Sequence, residues 1–138
     1  MQNRAKLKYI ELNKMVNSLN EAIELVWINK DHRFEKWLKD SVIQRFEYTI
    51  EWVWKFLKYV LLEDFSQDEA FAKSVLKSSY KAKLINNLEI FLSMVERRNR
   101  LSHDYHEDFS EMSFDIIIND YIDEINDLIN KFSSKYDK

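Results

Sequence analysis

Glycine, proline and cysteine are all absent from the 138 residues of this chain. Without glycine or proline, a fold built on tight hairpin turns lacks its usual turn residues, so helices joined by short polar links are favoured. Without cysteine there is neither a disulfide framework nor a thiolate metal site. No apolar run approaches the ~20 residues that cross a bilayer, and the basic start "MQNRAKLK" lacks the apolar stretch of a signal peptide, so a cytoplasmic protein with no membrane association is expected. A basic excess is missing too. With a formal charge of −3, broad nucleic-acid affinity by charge alone is disfavoured, although a local basic spot such as "RRNR" is still compatible with it. Apolar residues make up 46% and charged residues 33%, the balance of a globular protein, and the length suits one domain spanning 1–138.

What is present is helical periodicity. Read at ~100° per residue, the apolar positions give four long segments and one shorter one. The first covers about residues 3–29, with Leu12, Met15, Leu19, Ala22, Ile23 and Val26 along one side. The link "NKDH" ends it, because Asn29 and Asp31 can bond local backbone. The second covers about residues 33–63 and carries a core stripe that includes Val42, Phe46, Ile50, Val53, Leu57 and Leu61. Ser66 with Glu69 has capping-box spacing and predicts a short helix over about 67–79; Asn86 with Glu89 repeats it ahead of the fourth segment. The last segment, about 113–133, puts Phe114, Ile117, Tyr121, Ile125, Ile129 and Phe132 on one face. The expected fold is all-α: an antiparallel up-and-down four-helix bundle with one extra short helix.

Two segments carry a second apolar face. On the second, Tyr48, Trp52, Phe56 and Tyr59 lie opposite the core stripe; on the fourth, Ile90, Met94 and Leu101 lie apart from Leu88, Phe91, Leu92 and Val95. Either neighbouring helices cover these side chains, or they form a homodimer interface; the sequence reading adopts the homodimer.

The chemistry-bearing stretch is "RRNRLSHDYHED", residues 97–108. Arg98 and His103, five residues apart, are splayed by about 140° on a straight helix and flank the line of Asn99 and Ser102. They form a site only where the helix unwinds after Leu101 or a second copy faces the first. Arginine offers a planar fork of donors to phosphate oxygens, and histidine moves protons near neutral pH. The pair suits metal-independent RNA cleavage, with Asn99 orienting the reacting groups. The plain alternative is a helix end whose cations cap carbonyls, with Arg100 paired to Glu96 and Asp104. A metal site from His103, His106, Glu107 and Asp108 has no third histidine in register, and His32 is remote in sequence, so neither metal nor cofactor is expected.

"RNRLSHDY" is similar to the HEPN superfamily signature of Arg, four residues, His, one residue, Tyr, here Arg98, His103 and Tyr105. Residues 41–61, "SVIQRFEYTIEWVWKFLKYVL", resemble the second helix of one branch, the nucleotidyltransferase substrate-binding proteins, and the likeness extends over about residues 8–130. The resemblance implies a helical homodimer, the toxin of a pair whose antitoxin is a minimal nucleotidyltransferase, with RNA as substrate, Arg98 and His103 in an endoribonuclease cleft, and Tyr105 as acceptor of AMP. An alternative within the same branch is a non-catalytic substrate-binding subunit of a two-component nucleotidyltransferase, in which the Arg98 and His103 signature would bind the acceptor phosphate or simply shape the interface; Arg97 and Ser102 are further candidate binding residues. Glu96 and Arg97 stand where this branch often has Asp before the arginine, which leaves open whether Arg97 or Arg98 faces the cleft.

Overall fold

The computed structural model describes residues 3–104 and 106–136. The described chain is helical and has no strand: α1 (Arg4–Ile28), α2 (His32–Phe65), α3 (Ala72–Lys81), α4 (Leu88–Leu101) and α5 (Glu107–Ile116), which a π-helical turn (Ile117–Tyr121) joins to α6 (Ile122–Tyr136). No described helix is long and apolar enough to cross a membrane.

The links follow local chemistry. The Asn29 side-chain amide donates to the Asp31 carbonyl at 2.9 Å and accepts the Asp31 N–H at 3.2 Å, and the Asp31 carboxylate accepts the Arg33 N–H at 3.0 Å to cap α2. Asn87, rather than Asn86, caps α4 by accepting the Ile90 N–H at 3.1 Å. The predicted start of α3 is corrected more substantially. Ser66 adopts the left-handed region, φ 53° and ψ 35°, and closes α2, so it cannot also open a helix at 67. Glu69 instead accepts hydrogen bonds from Gln67 and Ser78, both at 2.9 Å, and folds the link onto α3, which begins five residues later than expected.

One core gathers the apolar faces of all the helices. α2 is its centre, packing against α1, α3, α4 and α5. A helix with neighbours on so many sides is covered over more than one stripe, and this corrects the two-stripe reading. Phe56 is fully buried, with its ring 5.7 Å from Tyr9 of α1 and 5.1 Å from Phe132 of α6. Trp52 and Tyr59 are half-buried, and Lys8 of α1 lies 4.4 Å over the Trp52 ring. Tyr48 alone of the four is exposed. On α4, Met94 and Leu101 are buried within the subunit and Ile90 is packed against the core, because α2, α3 and α5 all meet this helix.

Polar ties fix the ends. Glu63, near the end of α2, accepts the backbone N–H groups of Arg4 and Ala5 and so caps α1. The side-chain amides of Asn20 and Asn126 exchange hydrogen bonds between α1 and α6 at 2.9 and 3.3 Å. A π turn interrupts the last helix, whose expected span of 113–133 is extended at both ends, and Tyr121 lies inward beneath α4 on the expected core face. There its ring stacks on Phe46 at 5.3 Å and its hydroxyl hydrogen-bonds Ser93.

Candidate functional site at the end of α4

α4 ends at Leu101, but Ser102 keeps helical backbone angles, and the N–H groups of Ser102 and Asp104 still donate to the Arg98 and Arg100 carbonyls at 3.2 and 2.8 Å. Ser102 closes the last turn through its hydroxyl, which donates to the Arg98 carbonyl at 3.1 Å, and His103 donates its backbone N–H to the Arg100 carbonyl at 3.0 Å. The His103 side chain is exposed.

The two neighbouring arginines separate by role. Arg97 turns toward α5, donating to the buried Ser113 hydroxyl at 2.7 Å and lying 4.9 Å over the Phe109 ring; Arg100 covers the same ring at 3.9 Å. Arg98 turns toward α2. Its Nε stands 3.6 Å from Glu51 Oε1, and this buried donor makes no hydrogen bond. Glu51 also takes the Trp54 indole N–H at 3.4 Å and has Lys55 3.6 Å away. Glu47, one turn earlier on α2, feels the same guanidinium. Burial pushes its carboxyl above the ordinary range, and Arg98 only partly offsets that.

Glu47 and Glu51 are absent from the residues that sequence reasoning singles out, although their four-residue spacing in "EYTIE" puts both on one helix face opposite any cation that α4 supplies. The expected surface pair of Arg100 with Asp104 is present at 3.2 Å, but Glu96 pairs with Lys73 of α3 at 3.3 Å instead of with Arg100. Asp104 accepts the His106 backbone N–H at 2.9 Å and bonds its ring Nδ1 at 2.8 Å, and these bonds, the backbone one first, hold its carboxyl below the usual range. His106 is thereby the residue before α5, and Glu107 and Asp108 lie in the first turn of that helix rather than in the link. Among the described residues no group of three or more His, Asp or Glu is arranged to hold a metal ion.

Two cavities adjoin this end of α4. A groove of about 640 Å³ between α2 and α5 has Ile43, Leu101 and Phe114 among its lining, with Lys39 bridged to Glu111 at 3.4 Å. An open depression of about 470 Å³ is lined by Arg100, His103, Asp104 and His106. Arg98 lines neither of these two. Asn99 is exposed beside Arg98, and Tyr105 lies outside the described residues.

The fold and this cation-rich helix end define an all-helical protein whose polar groups collect at the α2–α4 seam. The model of the nucleotidyltransferase substrate binding protein-like family matches residues 7–134, and the chain belongs to that family. It is also similar to a solved crystal structure of a protein from Thermus thermophilus, with 27% identity over 85% of this chain and 97% of that chain and a TM-score of 0.70. No curated protein matches the chain.

Proposed function

We propose that this protein is the helical partner of a minimal nucleotidyltransferase, and that its α4 end works as a HEPN-type, metal-independent endoribonuclease once two subunits face each other. The observation that carries the reading is the division of labour at residues 97–103. Arg97 is held in structural contacts with Ser113 and Phe109, whereas Arg98 has a buried Nε with no hydrogen bond and His103 is exposed just past the end of α4.

In the reaction, the ribose 2′-oxygen attacks the adjacent phosphorus and gives up its proton to an imidazole. The new P–O2′ bond forms as the P–O5′ bond breaks, leaving a 2′,3′-cyclic phosphate, and a proton returns to the departing 5′-oxygen. His103 from each subunit of a twofold pair supplies the two proton positions. Arg98 holds the phosphate oxygens, which offer its guanidinium a better-matched partner than the 3.6 Å contact with Glu51. The two subunits meet through the open side of α2 that carries Tyr48, three residues from Glu51 and on the same helix surface. Transfer of AMP from the nucleotidyltransferase to the Tyr105 hydroxyl, with release of pyrophosphate from ATP, would add to this link a phosphate able to compete with RNA for Arg98.

Expression without the nucleotidyltransferase tests this reading: growth arrest with RNA cleavage that His103→Ala abolishes supports it, and the absence of arrest counts against it. A second reading, a non-catalytic substrate-binding subunit, is favoured by one observation, the pairing of Arg98 with carboxylates inside a single subunit. It requires a nucleotidyltransferase activity that depends on this chain and is indifferent to His103→Ala.

A further inference from the structure

The chain is acidic overall, yet residues 70–88 contain four lysines and not one Asp or Glu. The structure shows where those cations go. Val75, Leu76, Ser78 and Ser79 bury the inner side of α3, and Lys73, Lys77, Tyr80 and Lys81 fall together on its exposed side. Lys73, Lys77 and Lys81 are four residues apart, so they rise in steps of about 6 Å along one line. Two exposed aromatics accompany them, Phe71 at 75% and Tyr80 at 48% exposure.

The line leads to the α4 end. Lys73 reaches Glu96 of α4 at 3.3 Å, and Asn99 is three residues beyond Glu96, hence its neighbour on the helix surface. At its far end the line is reinforced from α6, where Lys131 donates to the Lys83 carbonyl at 2.6 Å and adds another ammonium to the patch. A row of ammonium groups accompanied by exposed rings is an arrangement that can track a nucleic-acid backbone while stacking its bases. Exposed rings beside lysines also suit a protein interface, and the binding test separates that occupant from RNA.

We propose that the exposed side of α3 is a track for single-stranded RNA, with Lys73, Lys77 and Lys81 contacting successive phosphates, Phe71 and Tyr80 stacking bases, and the strand delivered to Arg98 and His103. This rests on the ribonuclease reading for the destination of the strand, but the binding track is tested separately from cleavage.

The test uses the full chain carrying His103→Ala, so that RNA stays intact, and a fluorescein-labelled single-stranded RNA of about 15 nucleotides, within the usual size of single-strand sites. Added Lys77→Ala and Lys81→Ala should weaken binding about 10-fold or more and lower the slope of log K against log salt by about 1.4, at ~0.7 for each phosphate no longer neutralised. Phe71→Ala with Tyr80→Ala should weaken binding and leave that slope unchanged. All four positions are exposed, and circular dichroism checks that the helices persist. In the chain with His103 intact, the lysine variants should raise KM and keep kcat within twofold. Binding and slope that match the parent overturn the track, and loss of a copurifying nucleotidyltransferase at unchanged RNA affinity overturns it in favour of an acidic protein surface. If the chain with His103 cuts no RNA while the lysine variants still lose binding, the track stands and the ribonuclease reading falls.

Discussion

Arg98 Nε and Glu51 Oε1 face each other at 3.6 Å across the α2–α4 seam, while the adjacent Arg97 is turned away to Ser113. Neighbouring arginines in such different surroundings should separate stability from activity. Arg97→Ala leaves the buried Ser113 hydroxyl without its donor and strips the Phe109 ring of a cation, and is expected to cost about 1–3 kcal/mol in urea unfolding. Arg98→Ala removes a partly exposed ion pair worth less than ~1 kcal/mol, and is expected to abolish RNA cleavage while the chain remains folded. Equal loss of stability in both variants would remove the distinction.

The α2 side of the seam makes a prediction in pH. Burial raises the Glu47 carboxyl above its reference value of 4.5, and the nearby Arg98 only partly opposes this. Ionised Glu47 therefore opposes folding. That penalty is complete above the folded-state pKa and vanishes as pH falls below about 4.5. Glu47→Gln should raise the melting temperature at pH 7, with the gain shrinking in acid until the two chains melt alike. A loss of stability at pH 7 would mean that attraction to Arg98 outweighs burial.

The aromatic stripe on α2 should divide in the same manner. Phe56 is fully enclosed between α1 and α6, so Phe56→Ala is expected to cost about 3–5 kcal/mol whatever the protein concentration. Tyr48 is half exposed at 51%. If it lies in the proposed twofold seam, Tyr48→Glu should shift sedimentation from dimer to monomer and leave the subunit's own helix content intact. An oligomer that persists in the Tyr48→Glu chain would place the seam elsewhere.

A chain without glycine must end its helices at the expense of other residues. Ser66, at φ 53°, terminates α2 in the region that disfavours a Cβ. Ser66→Gly should stabilise the protein by up to about 1 kcal/mol, the relief at a left-handed cap less the added freedom of the unfolded chain. Thermal unfolding checks it, and unchanged or lowered stability would show that the Ser66 backbone is not under strain.

Much of this fold is legible in the sequence because helical periodicity and the Asn29–Asp31 link are local signals. The start of α3 differs from expectation for a local reason as well: Ser66 carries the letters of an N-cap and the geometry of a C-cap. The apolar faces of α2 and α4 are harder to read for another reason. Periodicity tells which residues are apolar, but whether Phe56 or Met94 meets a neighbouring helix or a second molecule depends on how many helices surround it. At the α4 end the sequence points to Arg98, Asn99, Ser102 and His103. It leaves the choice between Arg97 and Arg98 open because that choice depends on which helices lie to either side, and Glu47 and Glu51 pass in sequence for ordinary surface carboxylates.

The most direct measurement is an in vitro assay of purified protein, free of any nucleotidyltransferase, on single-stranded RNA with chelator present and the product ends identified. The account predicts 2′,3′-cyclic phosphate and 5′-hydroxyl ends, and their loss in both Arg98→Ala and His103→Ala. Intact RNA with the native chain, or cleavage that survives either substitution, would contradict it.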